Sequence, residues 1–475
     1  MVIIPLTALF ALMLLSCDIL QLKKQTYYPG PLGENSFYAQ KMTNNLYYVL
    51  EAEKLYEGEK CVIWAEKGSG VPVSQARAIA NEYDGKDKIR QKIVDRFSEK
   101  DFTITEKGVE YSFENMLSYA NWVANGDDGD GKLTILLLDI IDGCKNQETD
   151  PYVAGYFWGG NFFSEGGIGG GQWSNGRDMI YIDTYPVKRN PSEAYTTIAH
   201  ELQHLISYVT SRIYRGGSPL DVWIDEGLSS QAEYFYMGEI KRHCVWFSND
   251  REKTIEKGNN FFVWDNHSKE SSSAIMDDYA TVYLFFRWLY LQADMGLRSS
   301  IFYDIISSSN SDHQAVTAVA GRINSSWNNW EDLLRNWLAA NYYPKNSYGY
   351  NDSYLRETIK VKPIAGSSTP LYPGEGVYSI INNFYSVANK DNIRYAGLAA
   401  NAPAINVSSP YIDDVLLTFN ANTSNTIKTP HETGSLTGVS PPPPVPRTAA
   451  EDTQTQKFNG PYVIDARDML NRNKR

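Results

Sequence analysis

The sequence predicts an α+β fold: a mixed-sheet lobe, then a mainly helical lobe, then a small C-terminal β domain. Three observations predict it. Up to about residue 190, short apolar runs are interleaved with amphipathic helical stretches. Helical periodicity dominates residues 191–343. Beyond residue 343, short apolar runs separated by turn residues take over. With 475 residues the chain has length for about three domains, and 42% hydrophobic residues suffice for sizeable cores. A net charge of -12 argues against nucleic acid and against anionic membrane surfaces as partners.

The elements follow in chain order. Residues 1–16 are largely apolar but too short to span a bilayer, and they end in Leu14-Leu15-Ser16-Cys17. This resembles a bacterial lipoprotein signal, in which cleavage leaves Cys17 as a lipid-carrying first residue. The usual basic start is missing, since no Lys or Arg precedes Cys17. The resemblance implies an exported, cell-envelope protein that meets a membrane only through Cys17, with plain secretion as the alternative. Residues 18–44 are mostly polar and read as a tether. Residues 61–65 read as a strand, and residues 73–83 and 88–97 as amphipathic helices.

Asp128-Gly129-Asp130-Gly131 offers hard oxygen ligands and resembles half of a calcium loop, without the closing Glu of an EF-hand. A tight acidic turn before the strand at 133–138 is the preferred reading, with calcium as the second. Gly166-Gly167-Ile168-Gly169-Gly170-Gly171 lacks the Lys-Ser/Thr of a phosphate loop and reads as a flexible loop bordering a cleft. With Cys17 set aside, Cys61, Cys144 and Cys244 remain, so at most one internal disulfide can form. Residues 346–440 form the expected β domain. Residues 441–475 open with Pro441 to Pro444 and form an expected unordered tail.

The chemistry concentrates between residues 191 and 230. Pro191-Ser192-Glu193 reads as a helix start, and Ile198, Leu202, Leu205 and Ile206 then recur at helical spacing. On that helix lies His200-Glu201-Leu202-Gln203-His204. Histidines four apart lie on one face, one turn apart, where both can bind one zinc ion. Glu201 stands where it can take a proton from a water on that metal. A hydrolytic zinc site needs a third protein ligand and one open position. Glu226, in Trp223-Ile224-Asp225-Glu226-Gly227-Leu228-Ser229-Ser230, supplies it from a second helix read over residues 224–237.

At these residues the chain resembles the gluzincin clan of zinc metallopeptidases, and within it the hyicolysin-like neutral metallopeptidases. The likeness covers about residues 45–345. Supporting blocks are Asp128 to Thr134 with the apolar run after it, Gly155-Tyr156-Phe157-Trp158, and Met179-Ile180-Tyr181-Ile182-Asp183-Thr184. The resemblance implies a zincin-like core with the zinc helix at the edge of the sheet lobe and a helical lobe closing the cleft. It implies His200, His204 and Glu226 as zinc ligands, and Glu201 as general base acting on a protein or peptide substrate. It also implies a Tyr or His donor for the oxyanion, downstream of the third ligand. Tyr279 is the first choice and Tyr283, one turn on, the second. One position departs from the pattern. Thermolysin-like enzymes place an Asp four residues after the third ligand to orient a zinc-bound His, and that position here is Ser230. Which group orients the rings is left open, between a backbone carbonyl and another carboxylate. The alternative function is a surface-anchored binding protein on a peptidase scaffold. The intact set of His200, Glu201, His204 and Glu226 speaks against it.

Overall fold

The computed structural model describes residues 28–430 apart from 99–101, 105–108, 112, 114–116, 118–119, 121–123, 125–129, 149–151, 251–252, 259–260, 268–273, 364–369, 381–390 and 399–414. The signal at 1–17, the tail at 441–475 and Asp128 lie outside the described residues.

The sheet lobe is built from β1 (Ser36–Gln40), β2 (Tyr47–Glu57), β3 (Cys61–Glu66), β6 (Leu133–Leu138), β7 (Gly155–Phe157) and β10 (Met179–Asp183). Their order is β1-β2-β3-β6-β10-β7. The β3–β6 and β6–β10 pairs are parallel and the outer pairs antiparallel, so the sheet is mixed. A small hairpin, β4 (Phe102–Ile104) with β5 (Val109–Tyr111), stands apart from it.

The apolar run Ile135 to Leu138 of β6 is explained by burial on both faces. Leu133, Ile135 and Leu137 join the core shared with the helices. Leu136 and Leu138 join a second core, rich in aromatic residues, with Phe37, Tyr38, Tyr156, Trp158 and Tyr181. That second core corrects the reading of residues 18–44 as a tether. Residues 36–40 are the sheet's outer strand, paired in register with β2, and Phe37, Tyr38 and Ala39 are buried. A five-residue strand is too short for its alternation to stand out against polar flanks.

The glycine run is not a loose loop either. Residues Gly166–Gly169 (β8) and Gln172–Ser174 (β9) form an antiparallel hairpin. Gly170 and Gly171 close it at φ values of 60° and 81°, which favour glycine. Trp173 packs against Tyr38 and fastens the hairpin to the aromatic core.

On the other face lie α1 (Val73–Asp84) and α2 (Ile89–Phe97), each burying one apolar stripe. The helical lobe comprises α3 (Tyr195–Tyr208), α4 (Val222–Met237), α5 (Lys241–Asn249), α6 (Ile275–Gln292), α7 (His313–Ile323) and α8 (Trp330–Tyr342), with shorter turns between them. Helix α3 packs against β7 and β10 on one side and α4 on the other, and α4 in turn packs against α6. This is the α+β, zincin-like arrangement expected from the sequence. The run at 191–193 is a 3-10 turn capped by Asn190, and α3 proper begins at Tyr195.

Near the C-terminus a separate three-stranded antiparallel sheet has the order β11-β13-β12, from β11 (Gly376–Ile380), β12 (Ile393–Leu398) and β13 (Val415–Asn420). It rests on α8: the Tyr378 hydroxyl donates to the Leu338 carbonyl at 2.7 Å, and Arg394 pairs with Glu331 at 2.8 Å. Tyr378, Leu398, Leu417 and Phe419 belong to the same apolar cluster as Leu338. Among the described residues Cys61 and Cys244 are buried free thiols, and no helix is long and apolar enough to cross a membrane.

Candidate active site

Helix α3 is buried on nearly every side. Ile198, Leu202, Leu205 and Ile206 face the apolar core, each fully buried. Fully burying such a side chain contributes roughly 1.5–3 kcal/mol, and this anchors the helix rigidly. The opposite face carries His200, Glu201 and His204, at 0%, 0% and 4% exposure. Burying those groups is costly unless something pairs with them, and the pairing defines the site.

Helix α4 provides it. Glu226 Oε2 lies 3.5 Å from His200 Nε2, and Glu226 Oε1 lies 3.7 Å from His204 Nε2. The three ligand atoms all lie within 4.8 Å of one another. Two ligands about 2.1 Å from one tetrahedral zinc are separated by roughly 3.4 Å, so the spacing fits that ion. The donor atoms are also left over for it. Among the described residues, His200 Nε2 and both Glu226 oxygens have no hydrogen-bond partner although buried. Charge agrees: burial favours a neutral His200 ring, yet the Glu226 and Glu233 carboxylates outweigh it and push its pKa up to about 10. The pocket thus holds negative charge that a divalent cation would neutralise.

Close approach of the helices depends on Gly227. A Cβ there would come within 2.2 Å of the Phe286 ring on α6. Gly227→Ala is therefore expected to destabilise the protein by about 1–3 kcal/mol, measured by urea unfolding. An unchanged midpoint would show that Phe286 yields freely.

The structure answers the question left by Ser230. Its buried hydroxyl has no partner among the described residues. The imidazoles are instead held by two carboxylates from α4. His200 Nδ1 donates to Glu233 Oε1 at 2.8 Å, and His204 Nδ1 donates to Asp225 Oδ2 at 2.8 Å. Each bond fixes the tautomer that turns the Nε2 lone pair inward, and raises ligand basicity. Burial pushes the Glu233 carboxyl up, but Arg242 and His200 more than reverse this and hold it at about 2. Neither Asp225 nor Glu233 was singled out from sequence. Glu233 was within reach, because it lies seven residues past Glu226 and so on nearly the same helix face.

Glu201 is held apart from this network. Both of its carboxylate oxygens are buried without a partner among the described residues. Burial pushes its pKa up, with His200 and His204 pulling the other way, to about 7. The two tyrosines separate clearly. Tyr283 turns away, its hydroxyl donating to Glu239 and its ring stacking on His243 at 5.1 Å. Tyr279 is buried, with Trp264 edge-on against its ring at 5.1 Å. Burial, then the charges of Glu226 and Glu201, push its hydroxyl well above the ordinary range, so it remains a proton donor.

Two inward-facing histidines one turn apart, a carboxylate from the next helix and a free buried Glu between them make a gluzincin-like zinc-metalloprotease active site. The chain is similar to the Neutral metalloprotease ShpI of Staphylococcus hyicus, with 25% identity over 288 residues, 59% of this chain and 56% of that protein. The chain matches only a little over half the length of that relative. No family model matches the sequence.

Proposed function

We propose that this protein is a zinc-dependent endopeptidase acting on proteins or peptides. The observation that carries the reading is the buried His200, His204 and Glu226 cluster with the unpartnered Glu201 beside it. Zinc held by those three residues would polarise the scissile carbonyl and lower the pKa of its water to about 7. The rest is done by the chain's own groups. Glu201 takes the water's proton as general base and returns it to the leaving amine. Glu233 and Asp225 hold the two imidazoles in place. Tyr279 donates a hydrogen bond to the oxygen on which negative charge develops.

The test is bound zinc and casein cleavage by the purified chain, before and after chelation. One zinc per chain with chelator-sensitive cleavage supports the proposal. Zinc without cleavage of several protein substrates favours the binding-protein alternative. For the oxyanion role, Tyr279→Phe is expected to lower kcat about 100-fold with little change in KM. Steady-state kinetics on one peptide decide it, and an unchanged kcat removes Tyr279 from the mechanism.

The N-terminal motif supports a further proposal of export, with a lipid on Cys17. The acidic turn keeps a hard-cation site at Asp130 as a secondary proposal. In the structure Asp130 Oδ1 accepts from the Lys132 backbone N–H at 2.7 Å, as a turn residue does.

A further inference from the structure

We propose that Arg242 is a positioning residue of the zinc site, acting through Glu233 on the His200 ring. The Glu233 side chain is 1% exposed, and its two oxygens are divided between two partners. Oε1 accepts from His200 Nδ1 at 2.8 Å, and Oε2 receives Nη2 of Arg242 from α5. Arg242 keeps 20% of its side chain exposed, so it links the buried relay to solvent.

The physical need is specific to His200. A buried carboxylate oxygen left without a partner is costly, and the side chain would turn away from the ring to satisfy it. The ring would then lose the acceptor that fixes its tautomer. Arg242 Nη2 supplies that partner, a charged donor on the second oxygen, and so holds the carboxylate against the ring. No other group on α4 substitutes: Ser230 stands at the expected acceptor position and its hydroxyl makes no bond among the described residues. His243, beside Arg242, is buried against Tyr283, and its surroundings hold it well below the usual imidazole range, so it brings no second positive charge.

The inference rests on the zinc reading of the site, and the experiment separates the two. Zinc affinity of the full chain is measured by competition with a chromogenic chelator, for wild type, Arg242→Met, Arg242→Lys, Glu233→Gln and the double variant Arg242→Met/Glu233→Gln. Zinc-free thermal unfolding is recorded for each. Arg242→Met is expected to weaken zinc binding about tenfold or more, with Arg242→Lys recovering most of the loss. In the Glu233→Gln background the Arg242→Met change is expected to have little further effect, because its route is gone. Should Arg242→Met fail to fold, Arg242→Gln takes its place, keeping a hydrogen bond to Glu233 without the charge, with the same loss expected. Wild-type affinity in the Arg242 variants, or an equal loss in the Glu233→Gln background, overturns the inference alone. A wild-type chain that binds no zinc overturns the site reading and the inference with it.

Discussion

Glu201→Gln is expected to keep the full zinc content and to lose at least about a thousandfold in kcat, with KM little changed. The substitution is nearly isosteric. At 0% exposure, with no partner on either oxygen among the described residues, Glu201 is positioned by packing and not by a bond that the amide would break. The metal ligands and their acceptors, Glu233 and Asp225, are untouched. What disappears is the capacity to take and return a proton. Metal analysis and turnover on one peptide, run on the same preparation, check the result. Retained turnover would falsify the assignment of Glu201 as general base.

Glu226→Gln is the complementary experiment. It removes the carboxylate from the ligand set and leaves two imidazoles with a neutral amide. Zinc content is expected to fall from one per chain to near none under conditions that load the wild type fully, and hydrolysis with it. Folding gives an independent readout. A ligand at about a thousand times its Kd stabilises by about 4 kcal/mol, so added zinc raises the Tm of the wild type and leaves that of the variant unchanged. A variant that still binds one zinc and is stabilised by it would remove Glu226 from the ligand set.

These two residues were legible in sequence because their chemistry is local. His200, Glu201 and His204 share one turn of helix, and Trp223 to Ser230 opens the next long helix. The anchoring stripe of Ile198, Leu202, Leu205 and Ile206 is likewise visible as periodicity. What escaped depends on how helices cross. Asp225 is adjacent to Glu226 and points about 100° away from it around the helix, so only the packing of α3 on α4 shows that it meets His204. The Arg242–Glu233 pair depends on the turn at Gly238, φ 90°, after which α5 packs on α6 and brings Arg242 to the end of α4. The strand at 36–40 was hidden for a different reason: five residues between polar flanks are too few for a pattern to stand out. The sheet lobe was readable because runs such as residues 135–138 have one stable placement, between two cores, while the zincin-like core was implied by the resemblance at the two zinc motifs.

The small sheet at the C-terminus has a consequence for anyone trimming the protein. A fragment ending near residue 345 would keep every residue named in the chemistry, yet it would strip the cover from Leu338 and its neighbours on α8. It would also cut a tie at the other end of the site. Asn425 donates to Asp221 at 2.6 Å, and Asp221 is the residue from which the Glu226 helix starts. The minimal expressible unit therefore extends to about residue 425, some eighty residues beyond the last part of the chain that resembles a peptidase.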